Sequence, residues 1–342
     1  MLVCSVHDPA IFDQRLFAEN DHYEAIMASH LRDVQLCHLL VVDEGGTVWR
    51  EIIALAEKVP WLGMYLNACI SESRIVYLPS VQQHGDKVRQ WLDQAGSAEA
   101  VGLIAHKQVD VLVAANQTVD AMSIEKMPLD KTCMLRDYHK SPSYQRESLS
   151  RGARALNTLT KKEFLDDVIT PVVWWAEACT VIDKMIVRAA YGDPGGQRKE
   201  QSNFSDFKET IHAILGIWRK GPRRSEGTFR IISEHTNQYI GDELAKQLAD
   251  KLGLADACDI EICLKNKEEL KVLNHDRYLV TNNDICIGFT RGFDLLDADF
   301  KGNKQNMMCG ISDVYVRQHQ NERDAVNDVM LLRNQGRWSG KT

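Results

Sequence analysis

The feature that most constrains this chain is a rhythm in its first 140 residues. Short apolar runs recur between longer segments whose apolar positions fall at helical spacing. The runs at 2–6, 37–42 (CHLLVV), 74–78 and 109–115 (VDVLVAA) are apolar at nearly every position rather than at alternate ones. A strand of that kind is buried on both faces. Between them, 17–32, 48–58, 85–95 and 98–106 carry helical patterning. Strands alternating with helices predict a mostly parallel sheet covered on both sides.

The polar stretch 136–162 interrupts the rhythm, and 139–162 is the expected linker between a first domain, 1–138, and a second, 163–320. Residues 321–342 are left as a C-terminal tail. The second domain reads as a helix at 164–175, a strand at 180–186 (TVIDKMI), a polar loop at 190–205 and a helix at 207–220. A basic turn, KGPRRSEG, leads to a strand at 228–233, a helix at 241–252 and strands at 259–264, 275–281, 284–289 and 314–317. The expected fold class is α/β in two domains. A chain of 342 residues with 44% hydrophobic and 26% charged residues can bury two ordinary cores without metals or disulfides.

No apolar run approaches the roughly 20 residues that span a bilayer, and the first residues, MLVCSVHD, read as a strand rather than a leader. The nine cysteines are scattered, with no CxxC pair. Free thiols in a reducing cytoplasm are the expectation. The net charge of −7 is uneven: residues 1–150 hold 13 Lys+Arg against 20 Asp+Glu, and the remainder 28 of each.

Two clusters carry chemistry. In 274–296, NHDRYLVTNNDICIGFTRGFDLL, His275 and Arg277 share one face of a strand, because side chains repeat every two residues. Asn282 opens the following turn, and Gly288 and Gly292 bracket the next strand's end. An arginine fork beside glycine-rich backbone suits a phosphate. Lys220, Arg223 and Arg224 add a basic turn able to meet a nucleic-acid backbone. The layout resembles the phospholipase D signature, His-x-Lys followed by Asp and a glycine-rich strand end, and most of all the phospholipase-D-like domain found C-terminal to MIT domains. There Asp183-Lys-Met-Ile186, the HDR strand and Gly292-Phe-Asp294 recur. Arginine replaces the family lysine, Asn282 replaces the aspartate, and no second His-x-Lys is present.

In the first half, Asp8 follows the first strand, Glu51 lies in the helix after CHLLVV, Glu99 opens a later helix and Asn116 follows VDVLVAA. Sites in open parallel sheets form beyond the carboxyl ends of strands. Three acids and an amide there are oxygen ligands for Mg²⁺ or Mn²⁺, which would activate water for phosphodiester hydrolysis. The order resembles PIN-like nucleases of bacterial defence and toxin systems. That resemblance implies metal ligation by Asp8, Glu51, Glu99 and Asn116, with Asp120 as the substitute for an amide where the family has Asp. His22, His30 and His38 recur every eight residues, but nothing completes a metal set around them.

The expected function is therefore a metal-dependent nuclease acting on RNA or DNA, of an antiviral defence or toxin type. The degenerate second domain would bind, sense or dimerise. Two rivals stand beside it. One is a non-catalytic adaptor for nucleic acid or a partner protein of the same system. The other is a metal-independent phosphodiesterase that pairs His275 across a homodimer. No P-loop, GxGxxG, HExxH or GxSxG sequence is present.

Overall fold

The computed structural model describes residues 3–13, 22–71, 74–79, 98–104, 106–114, 131–148, 153–155, 159–192, 203–222, 227–235, 241–273, 277–283, 285–289, 293, 296, 306–311 and 325–340, without the side chains of 35–37, 98–99, 101, 146–148, 153–155 and 306–311. The chain forms two α/β units, 1–150 and 151–342.

The first unit is built on five parallel strands: β1 (Val3–His7), β2 (His38–Asp43), β3 (Ile75–Leu78), β4 (Val111–Ala114) and β5 (Thr132–Met134). Their spatial order is β3-β2-β1-β4-β5. Every residue of β1, β2 and β4 is buried, as continuous apolar runs require. Helices α1 (Tyr23–Cys37), α2 (Thr47–Ala56), α3 (Pro60–Ser71), α4 (Ala98–Leu103) and α5 (Pro142–Ser148) belong to this unit. The helix expected at 85–95 lies outside the described residues. The stretch read as linker begins inside the first unit: Tyr138 is buried, and α5 packs against β1.

The second unit holds one mixed sheet of eight strands: β6 (Ala153–Ala155), β7 (Cys179–Ile182), β8 (Phe229–Glu234), β9 (Ile260–Lys265), β10 (Arg277–Thr281), β11 (Ile285–Phe289), β12 (Asn306–Ile311) and β13 (Gly336–Ser339). The order is β13-β9-β8-β7-β10-β11-β12-β6, with only β7-β8-β9 parallel. A continuous helical run, α6, comprises Lys161–Glu163, a π-helical Phe164–Ile169 and Thr170–Val173. A capping box starts it, in which Thr160 and Glu163 satisfy each other's N–H groups. Helices α7 (Met185–Tyr191), α8 (Phe204–Lys220) and α9 (Gly241–Leu252) follow.

Two expectations are corrected here. The strand read over 180–186 stops at Ile182, because the Asp183 carboxylate accepts the Met185 N–H at 2.8 Å and turns the chain into α7. Within the segment read as a tail, the described residues 325–340 are folded onto the second unit. Residues 325–331 are helical and bury Val326 and Val329, while β13 pairs antiparallel with β9. Gly241 and Gly336 let α9 meet β13, since a Cβ on Gly241 would lie 1.8 Å from the Gln335 carbonyl oxygen. The strand expected at 314–317 lies outside the described residues. Among those described, no helix is long and apolar enough to cross a membrane, and seven cysteines are free thiols.

Candidate active site

In the first sheet, β2 and β3 extend to one side of β1, while β4 and β5 extend to the other. The order therefore reverses between β1 and β4, and the crevice beyond their carboxyl ends is the place where open α/β sheets hold ligands. Asp8 stands there, directly after β1 and 3% exposed. It donates its backbone N–H to the Val113 carbonyl of β4 at 3.0 Å, and its Oδ1 accepts the Ala10 N–H at 2.9 Å. That second bond caps the 3-10 turn Pro9–Phe12 and fixes the side chain. Burial raises the Tyr23 hydroxyl's pKa, with the charges of Asp8 and Asp13 adding to the effect, so Asp8 contributes to a negative field.

Glu51 lies on α2, which packs against the Asp8 turn, and its side chain is exposed. Glu99 is the second residue of α4, whose backbone packs on β1, β2 and α2; its side chain is not described. β4 ends at Ala114, two residues before Asn116. Asn116 and Asp120 lie outside the described residues. Among those described, no group of three or more His, Cys, Asp or Glu side chains is arranged to hold a metal.

Asp43, which sequence reasoning passed over, ends β2 at 2% exposure. Its carboxylate accepts the N–H groups of Thr47 at 2.6 Å, Val48 at 2.7 Å and Trp49 at 3.4 Å. It is spent on the positive end of α2. Gly46, at φ +74°, supplies the left-handed turn that lets the chain double back for this cap. The sequence signal was present in Asp43-Glu-Gly-Gly before an apolar helical run.

A polar chain also runs through the first unit's core. Ser5 and His7 share one face of β1, and α1 brings His30 onto it. The Nε2 atoms of His7 and His30 lie 3.0 Å apart, at hydrogen-bonding distance. His38 joins Ser5 Oγ through Nδ1 at 2.8 Å and the Tyr138 hydroxyl through Nε2 at 2.8 Å. The His30 ring stands edge-on to Tyr138, with centroids 4.6 Å apart. Burial lowers the His7 pKa to about 3, with a contribution from His38, and holds His30 well below the ordinary range, helped by His7 and His38. Both rings are therefore neutral at pH 7. Of the histidines that recur every eight residues, His30 and His38 meet, whereas His22 sits exposed at the start of α1. Their third companion is His7, which the spacing did not suggest because it lies on a strand.

In the second unit, Arg277 opens β10 beside the carboxyl end of β7. Its Nε lies 3.3 Å from Asp183 Oδ1, and both side chains are buried. Asp183 Oδ2 accepts the Phe293 N–H at 2.8 Å, so this carboxylate ties three elements together. Burial lowers the Lys184 pKa, and repulsion from Arg277 adds to that, against the opposing charges of Glu234 and Asp183.

Among the described residues of the expected phosphate constellation, Arg277 and Asn282 are not gathered at one place. Asn282 follows β10's far end, roughly 17 Å from Arg277 at the usual rise per residue. There its side-chain oxygen accepts the Ala178 N–H at 3.0 Å. Lys220, the exposed last residue of α8, is near that far edge too: the adjoining Gly221 abuts the Trp174 carbonyl, three residues before Glu177-Ala178. A strand separates its two ends, and no spacing argument on a linear motif overrides that. His275, Arg223 and Arg224 lie outside the described residues.

No known protein family matches this chain, and no curated protein does either.

Proposed function

We propose that the first unit is a metal-dependent nuclease that hydrolyses phosphodiester bonds of RNA or DNA, with a PIN-like fold and a function in bacterial defence or toxicity. The observation that supports this most is the position of Asp8. It is a nearly buried carboxylate at the reversal point of a five-strand parallel sheet of order β3-β2-β1-β4-β5. Asp8, Glu51, Glu99 and Asn116, or Asp120 in place of the amide, would hold one Mg²⁺ or Mn²⁺. Bound there, the ion would lower the pKa of a water molecule and stabilise charge on the scissile phosphate.

The second unit, proposed as phospholipase-D-like, would serve binding, sensing or dimerisation. Supporting that division of labour, Arg277 is already balanced by Asp183 in the interior, and the family's lysine and aspartate are replaced by Arg277 and Asn282. The non-catalytic adaptor is the second reading, favoured by the wide separation of Arg277 from Asn282 along β10.

The test is cleavage of labelled single- and double-stranded RNA and DNA by the full chain, with Mn²⁺ or with EDTA. The expected result is cleavage that requires Mn²⁺ and falls at least 100-fold in Glu51→Ala, the scale of losing a catalytic group, while His275→Ala retains it. EDTA-resistant cleavage that is lost in His275→Ala would instead assign the chemistry to the second unit.

A further inference from the structure

The second unit carries an open groove that neither the nuclease reading nor its phosphate residues use. It lies between the 3-10 turn Glu269–Leu273 and the helical residues 325–331, with a volume of about 660 Å³. Its apolar walls include Val272, Val329, Leu331 and Leu332, and its acids are Glu269 and Asp328. Val329 anchors the groove to the core, where it is buried in one apolar cluster with Leu270, Leu273, Val326, Ile232 and Tyr278. The rim is open: Val272 is 51% and Leu331 85% exposed. An apolar rim open to solvent suits a chain laid along it better than an enclosed small molecule.

Charge narrows the occupant. Glu269 Oε2 is buried without a hydrogen-bond partner among the described residues. Among the described residues, Lys271 pairs with Glu268, and Lys265, whose charge also acts on Glu269, donates its ammonium to the Leu332 carbonyl, which leaves Asp328 as the open acid of the groove. Arg333 follows the groove but does not line it. A groove with apolar walls and two carboxylates is complemented by apolar side chains alternating with lysine or arginine.

We propose that this groove is a docking site for an amphipathic, basic peptide segment of a partner protein. Its leucine-class side chains would cover Val272 and Leu331, and a lysine or arginine would face Glu269 and Asp328. Helical spacing of the apolar positions, at i and i+3 or i+4, fits a groove framed by one short helix and one turn.

The experiment is selection of a displayed random library of 16-residue peptides on the immobilised full chain. Recovered peptides are then titrated against wild type, Leu331→Glu and Glu269→Gln. Leu331 is exposed, so Leu331→Glu leaves the fold intact. The expected result is enrichment of peptides with apolar pairs and a basic excess, binding at least tenfold more weakly to Leu331→Glu and several-fold more weakly to Glu269→Gln. Absence of enrichment, acidic or uncharged winners, or winners that bind both variants as wild type does would each overturn the proposal. So would a dimer of this chain in sedimentation that Leu331→Glu abolishes, which would give the groove to a second copy.

Discussion

Asp183 shows what one carboxylate does when a chain buries it. Its side chain is fully buried, yet it has the Arg277 guanidinium and the N–H groups of Met185 and Phe293 to replace water. Removing it would orphan a guanidinium and two backbone donors together, so Asp183→Ala is expected to cost about 3–5 kcal/mol. Arg277→Met leaves Asp183 its two N–H donors and should cost less. Urea unfolding of both variants checks the order, and equal losses would contradict it. Asp8 and Asp43 make a similar contrast within the first unit. Asp43 gives both oxygens to the start of α2, whereas Asp8 stands where the strand order of the sheet reverses, which is why the proposed metal site is built on Asp8.

At the scale of elements, the sequence was most legible where burial is two-sided. VDVLVAA and CHLLVV could be read as interior strands because every face is apolar, and β4 and β2 fall within a residue or two of those runs. β13 was illegible for the opposite reason: Gly-Arg-Trp-Ser has no apolar alternation, and it becomes a strand by pairing with β9 and by the glycine contact with α9. Of the residues read as phosphate-binding, Arg277 and Asn282 sit at opposite ends of one strand, a separation that a linear motif does not display. His7 went unnoticed because its partners His30 and His38 arrive from α1 and β2, both distant in sequence.

The histidine chain sets a pH dependence at this same scale. An unfolded histidine titrates near 6.5, while His30 and His7 are held below that in the fold. As pH falls below about 6.5, the unfolded chain takes up protons that the folded chain refuses. Stability is therefore full above that pH and falls by about 1.4 kcal/mol per unit per histidine on acidification. For His7 the loss continues toward about 3. Between pH 6.5 and 5, before most carboxylates titrate, the urea midpoint should drop with pH, and more shallowly in His30→Phe. An unchanged slope in that variant would contradict this origin.

At the scale of the whole molecule, each unit owns a sheet and a set of buried side chains: Val6, Leu40 and Leu112 in the first, Ile231, Ile262 and Leu279 in the second. Residues 1–150 and 151–342, expressed apart, are each expected to unfold cooperatively by circular dichroism. A fragment without a cooperative transition would show that its core depends on the other. The α/β class in two parts followed from the alternation of apolar runs and helical segments. The site was only partly legible, since Asp8 is recognisable from its place after a strand while the strand order that gives the place its meaning is a property of the folded sheet.

The central claim is that the carboxyl edge of the first sheet holds a divalent cation. Calorimetric titration of Mn²⁺ into the full chain, beside Asp8→Asn and Glu51→Gln, tests it most directly. Saturable binding is expected in wild type, and at least tenfold weaker binding in each variant, since each loses a charged oxygen ligand. Binding that is absent in wild type, or equally tight in all three proteins, would contradict it.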